Sequence, residues 1–267
     1  MNRFAKAFSN VINNLKEIRG RIYSDDEGGY VSLKKFLNKK QISHVQKFWT
    51  DNNLINKFSE FIKNKDVRFG SPNYYYQKPS PSDLIYCCFT WNNPPDQFTH
   101  EVAYCIQILR NIIEGQSLYS GFEATTGKSF QYRVCNHKTN SFAVYPHSDF
   151  TNMERKDPTG DHDYDPVRLQ ATLLLSTPDY DYSGDGFKLT LNNGKTKSFG
   201  LSQLGAGDLI LWRYNNVHSV ENISVNLNQL GFLRLILPQY DIKDPNFVND
   251  KYQTIGWHKG SKIVRIK

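Results

Sequence analysis

Phe142-Ala143-Val144-Tyr145-Pro146-His147-Ser148-Asp149 is the stretch on which the reading of this chain turns. Its apolar run predicts a strand that ends on a polar triplet. Side chains alternate along a strand, so residues two apart share a face, and His147 and Asp149 set an imidazole beside a carboxylate. His218 lies far downstream, after the turn Gly205-Ala206-Gly207-Asp208 and the apolar run Leu209-Ile210-Leu211-Trp212. A strand leading to it would bring a second imidazole to the first pair. Two His and one carboxylate on one side of a metal ion leave its other side open to ligands. Arg234 falls in a third apolar run, Phe232-Leu233-Arg234-Leu235-Ile236-Leu237, just after Gly231. A buried Arg needs an acidic partner, and the carboxylate of a bound molecule suits its planar fork. His-x-Asp alone occurs by chance in many chains, so the weight rests on the order of these pieces and on the strands that carry them.

From Phe130 onward the chain reads as short apolar runs divided by turn residues. Strands are predicted near 130–136, 141–147, 168–176, 186–191, 208–213, 217–222 and 230–238, with a last pair in 252–266. Upstream the period changes. Phe4, Phe8, Val11, Ile12, Leu15 and Ile18 recur at helical spacing over 3–19, and Ile42, Val45, Phe48, Trp49, Leu54, Phe58 and Ile62 predict one or two helices over 41–64. Residues 97–114 form a further helix, with Asp96 as its cap and Gly115 at its end. The segment Gly70 to Pro95 reads as loops around one or two strands. Short strands after a helical start predict a β-rich α+β fold, a jelly roll or barrel with helices packed on one sheet. No repeat or linker divides the chain. It is expected to form a single domain over 1–267, with a mainly helical support and pocket region over 1–129, the β core over 130–240 and an extension over 241–267.

With 267 residues, 39% hydrophobic and 14% aromatic, the chain can bury a core and is not of disordered composition. The formal charge of +7 permits an acidic partner, but the Lys residues are scattered, as solubility alone would have them. Cys87, Cys88, Cys105 and Cys135 form no C-x-x-C pair and read as buried thiols in a reducing compartment. No signal peptide opens the sequence and no apolar stretch reaches membrane-spanning length, so a cytoplasmic protein without membrane attachment is expected.

The segment from Phe130 to Tyr240 resembles the Fe(II)/2-oxoglutarate-dependent dioxygenases. The pieces that carry the likeness are His147-Ser148-Asp149, the strand Arg168 to Leu175, Gly184-Asp185-Gly186-Phe187, Gly205-Ala206-Gly207-Asp208, His218, and Gly231-Phe232-Leu233-Arg234. The nearest likeness is to the prolyl-hydroxylase-like and phytanoyl-hydroxylase-like branches. The resemblance implies a double-stranded β-helix, a jelly roll with iron at its open end. It implies Fe(II) held by His147, Asp149 and His218, with 2-oxoglutarate chelating the metal and its far carboxylate on Arg234. Thr172 and Gln170, on one face of their strand, are further candidates to hold 2-oxoglutarate, as are Tyr132 or Arg133 on the preceding strand. O2 would be consumed, and succinate and CO2 released. Halogenating members lack the carboxylate that Asp149 supplies, so its presence favours hydroxylation.

Two departures from the family pattern stand out. The interval from His218 to Arg234 is long, which predicts an extended hairpin over Asn222 to Leu230. Gly-Asp-Gly replaces Gly-Gly. The acidic loop 151–166 follows the triplet directly and is expected to act as a lid over a polar substrate. A small polar metabolite is the expected substrate, and a protein side chain such as prolyl is the alternative. A nucleic-acid demethylase is disfavoured because Tyr240 stands where that branch carries a second Arg. A metal-bearing jelly roll without turnover is the remaining alternative. No motif names the substrate or the oligomeric state.

Overall fold

The computed structural model describes residues 4–26, 28–51, 74–77, 84–89, 96–122, 127–138, 144–148, 168–242, 254–255 and 263–264. Asp149, the loop 151–166, residues 52–64 of the predicted second helical region and most of the C-terminal extension lie outside the described residues.

The N-terminal amphipathic segment forms two helices, α1 (Ala5–Asn13) and α2 (Leu15–Tyr23), where one was expected. The break falls at Asn14, whose side-chain amide donates to the carbonyl of Asn10 at 2.9 Å. The Asn14 backbone N–H donates to the same carbonyl at 3.1 Å, so the residue caps α1 with both groups, in keeping with the preference of Asn for helix ends. Helix α3 (Lys39–Trp49) opens with a reciprocal capping box between Asn38 and Gln41. Helix α4 (Gln97–Glu114) matches its prediction at both ends. Asp96 accepts from the Thr99 amide at 3.0 Å, and Gly115 closes the helix at a φ of 75°.

The strands in chain order are β1 (Tyr30–Leu33), β2 (Tyr74–Gln77), β3 (Leu84–Phe89), β4 (Gly127–His137), β5 (Val144–His147), β6 (Leu169–Leu174) and β7 (Gly186–Thr190). They continue with β8 (Thr196–Ser198), β9 (Leu209–Arg213), β10 (His218–Glu221), β11 (Phe232–Ile236), β12 (Gln239–Ile242), β13 (Thr254–Ile255) and β14 (Ile263–Val264). One large sheet runs β1-β9-β6-β11-β4-β3-β2, with β12 also on β4, and a smaller one runs β5-β10-β7-β8. All their pairings are antiparallel. Strands β2 and β3 fall in the segment 70–95, where one or two strands were expected, and β1 is a strand that the helical periodicity of the N-terminal part does not predict.

Strand alternation makes the layers. Leu169, Ala171 and Leu173 of β6, Leu209 and Leu211 of β9, and Leu233 and Leu235 of β11 face one core with the helices. The alternate residues Leu174, Ile210, Trp212 and Phe232 face a second core with Phe187, Leu189 and Val220 of the small sheet. This is the jelly roll: two facing sheets, with helices on the outer face of the larger one. Each fully buried aliphatic side chain contributes about 1.5–3 kcal/mol, so the two apolar layers fix which way every strand faces.

Helix α4 also buries polar groups against the sheet. Arg110 donates to the carbonyls of Leu169 and Leu237 at 3.3 and 2.5 Å, and Glu114 accepts from the Leu169 amide at 2.7 Å. Burial lowers the Arg110 pKa to about 10, and nearby Glu114 works against that shift. The helix thus pins the start of β6 and the end of β11 at once. The segment 222–231 is a crossing and not the expected hairpin, because β10 belongs to the small sheet and β11 to the large one. It passes close to Gly184, where an added Cβ would lie 1.6 Å from the Asn222 carbonyl oxygen, so the glycine of the Gly-Asp-Gly motif is sterically required there.

Candidate functional site

His147 ends β5 and His218 begins β10, and the two are direct register partners. Their ring centroids are 4.3 Å apart. Each Nδ1 engages a carbonyl two residues upstream: His147 that of Tyr145 at 2.7 Å, and His218 that of Asn216 at 3.2 Å. A carbonyl only accepts, so each Nδ1 donates, and Nε2 is the nitrogen of each ring left to ligate a metal. Two neighbouring imidazoles could together hold a metal ion, and backbone carbonyls commonly orient such ligands.

The surroundings hold both rings in place. The Trp212 ring lies 4.4 Å from that of His218, and Phe187 lies 6.3 Å from it. Ser148 donates to the Asn215 carbonyl at 2.9 Å, tying the end of β5 to the turn before β10. Asn216, whose carbonyl orients His218, donates through its side chain to Asn192 at 3.0 Å, and Asn192 in turn donates to the Ile22 carbonyl at 3.0 Å. A chain of polar contacts therefore runs from helix α2 to the second imidazole. Sequence reading missed it, because single Asn residues in turns carry no distinguishing pattern.

Arg234 stands on the opposite wall, in β11, between Cys135 of β4 and Leu174 of β6. It is 5% exposed. Its guanidinium lies 5.5 Å from the Phe232 ring and 6.0 Å from the Phe187 ring, and Phe187 is thus a neighbour of both Arg234 and His218. Tyr182, which no motif singles out, is buried against Phe232 with ring centroids 4.9 Å apart. Burial raises the Tyr182 pKa, as do Asp179 and Asp181, while Arg234 opposes the rise. The phenol therefore stays protonated close to the guanidinium.

Thr172 lies on the interior face of β6, fully buried, and accepts from the Trp212 indole N–H at 3.2 Å. Its hydroxyl thus steadies the ring beside His218. Gln170, paired in register with Trp212, is on the same face, and its side chain accepts from the Ala171 amide at 3.0 Å. Tyr132 is a correction. It points into the helix-side core, where its ring lies 5.7 Å from His100, because Phe130, Tyr132 and Val134 are the outward set of β4. Alternation then gives the inner face to Arg133, the other candidate on that strand. Asp208 shapes its turn as expected, accepting from the amides of Lys35 and Gly205 at 2.7 and 3.0 Å.

Asp149 lies outside the described residues, and among the described residues no group of three potential ligands gathers. No helix of the described residues is long and apolar enough to cross a membrane. Cys105 and Cys135 are free thiols.

No family model and no curated protein matched the sequence. Among solved structures similar to this chain is a Pseudomonas putida prolyl-4-hydroxylase, at 15% identity and a TM-score of 0.47, covering 86% of this chain and 99% of that one. Another is the non-heme alpha ketoglutarate dependent epimerase SnoN from nogalamycin biosynthesis, at 12% identity and a TM-score of 0.49, covering 95% and 96%. A third is EctD from S. alaskensis with bound Fe, at 11% identity and a TM-score of 0.49, covering 91% and 84%. At such distances the chemistry of this site rests on the chain's own side chains.

Proposed function

We propose that the chain is an Fe(II)- and 2-oxoglutarate-dependent dioxygenase that hydroxylates a C–H bond of a small polar metabolite. The observation that carries this reading is the register pair His147 and His218, rings 4.3 Å apart, facing a wall that holds the buried Arg234. The donor set suits iron: two imidazole nitrogens held by backbone carbonyls, with a carboxylate two residues past the first in sequence. Bound iron, with 2-oxoglutarate and O2, supplies the oxidising chemistry.

The protein's part is to bind, orient and shield. His147 and His218 would ligate through Nε2, and Asp149 is proposed as the third ligand. Arg234 would pair with the far carboxylate of 2-oxoglutarate in a two-point contact. Tyr182, kept protonated by burial, can donate to the same carboxylate. Trp212 and Phe187 exclude water from the flank of His218, and Thr172 and Gln170 line the wall between the metal end and Arg234. The polar groups along that wall, Thr172 and Gln170, support a small polar molecule as substrate.

The test is direct. Under anaerobic conditions Fe(II) and 2-oxoglutarate together should give a weak visible charge-transfer band, and admission of air should yield succinate. A protein that binds iron but never forms succinate with 2-oxoglutarate would be a binding module.

A further inference from the structure

Strict alternation back from His147 would turn Tyr145 into the barrel, and the structure does the opposite. Val144 packs against the second core, Tyr145 is 74% exposed, Pro146 is exposed as well, and His147 meets His218. Two inward residues are thus three apart on β5. On β10 their register partners Val220 and His218 are two apart, with Ser219 alone between them. Strand β5 therefore carries one extra residue at Tyr145-Pro146, a β-bulge directly before the first imidazole. The residue type suits the place. Proline has no N–H to give to a ladder and holds its φ near about −65°, so it is tolerated at bulges and at sheet edges. Among the described strands, β5 is an edge of the small sheet.

In a regular strand a carbonyl lies close to the plane of the sheet and a side chain stands roughly perpendicular to it, so a ring does not meet the carbonyl two residues back. Across the bulge, His147 reaches the carbonyl of Tyr145 at 2.7 Å. His218 makes the same contact to Asn216, and there the irregular backbone is the turn before β10. Each imidazole is thus held by a carbonyl that regular pairing would not present to it. We infer that the bulge at Tyr145-Pro146 is the positioning device of the first metal ligand. Pro146 fixes the backbone that aims the Tyr145 carbonyl at Nδ1 of His147, and so leaves Nε2 to the metal. Pro146 is a positioning residue, acting through His147 alone. The inference rests on the function proposed above, in which His147 ligates iron.

Deleting Pro146 is the test, because it leaves a single residue between Val144 and His147. Regular pairing then keeps both register contacts and keeps His147 facing inward, but takes the Tyr145 carbonyl away from the ring. The full-length deletion variant should lose about 10–100-fold in Fe(II) affinity by anaerobic titration. Nitrogen-15 spectra of the metal-free protein at about pH 8, where imidazoles are neutral, read the tautomer. His147 should carry its proton on Nδ1 in the wild type and should shift toward the Nε2–H form in the variant. A loss of stability alone would not move that signal. Pro146→Ala, which keeps the residue count but frees φ, should show both effects in part, and it decides the question if the deletion variant does not fold. Wild-type Fe(II) affinity in either folded variant overturns the inference, as does a loss of affinity with an unchanged tautomer, or a wild-type ring without its proton on Nδ1. Each of these leaves the proposed function standing. A wild type that does not bind Fe(II) removes the function and the inference together.

Discussion

His147 and His218 differ from the residues that support them in what their loss should do. His147→Ala and His218→Ala each remove a proposed ligand, and Fe(II) binding followed by titration should be lost while the far-ultraviolet spectrum is kept. Asn192→Ala leaves both imidazoles in place but cuts the link from α2 to Asn216. Loss of such outer contacts typically weakens metal binding by about 10–100-fold, so this variant should still bind iron, with an intermediate affinity. If Asn192→Ala binds iron as the wild type does, the polar chain serves only the loop. Arg234→Met should act on the cosubstrate and not on the metal. Removing one side of a buried charge pair costs about 3–5 kcal/mol, which corresponds to two or three decades in 2-oxoglutarate affinity at about 1.4 kcal/mol per decade. Calorimetric titration in the presence of Fe(II) reads both constants, and an unchanged 2-oxoglutarate affinity would move the anchor elsewhere.

Helix α4 is the element whose sequence and structure agree most closely, and the reason is local. Its apolar stripe, its Asp96 cap and its terminal Gly115 all lie within one continuous segment, so no distant partner is needed to recognise it. Asp96 also accepts from the Thr99 hydroxyl at 2.6 Å and from the imidazole of His44 at 3.0 Å, which joins α3 to α4. Asp96→Ala should destabilise the fold by about 1–2 kcal/mol, read as a fall in the denaturation midpoint. The elements misread from sequence failed for non-local reasons. Turn residues over 222–230 announce a reversal but do not say whether the next strand joins the same sheet, and here it joins the other one. Alternation on β4 separates Tyr132 from Arg133 without saying which set faces the helices. Tyr30 to Leu33 is too short to stand out, and its partner β9 is remote in sequence. The imidazole pair proposed as metal ligands was legible because His147 and His218 each combine a strand end with a chemically distinctive residue type.

For the whole molecule, acid should be more damaging than the exposed charges alone would make it. Burial pulls the His100 imidazole down to about 4 from 6.5, where it lies packed against Tyr104 and Tyr132. The folded protein keeps this ring neutral, whereas the unfolded chain takes up a proton below about pH 6.5. Its contribution to stability is therefore present above that value and lost progressively as pH falls from about 6.5 to 4. His100→Gln should flatten the pH dependence of the urea midpoint across that window. An unchanged slope would assign the acid sensitivity to the carboxylates.

The pairing of β1 with β9 bears on how such a chain is made. Residues 30–33 are synthesised long before 209–212, the strand that completes their hydrogen bonds. Until then Val31 and Leu33, both buried in the finished sheet, have no lasting cover. Sheet closure must wait until Trp212 has left the ribosome, and contacts of such long sequence separation form slowly. Nascent chains stalled before Leu209 should therefore be captured by chaperones and sensitive to protease, and full-length chains should gain resistance in a late, concerted step.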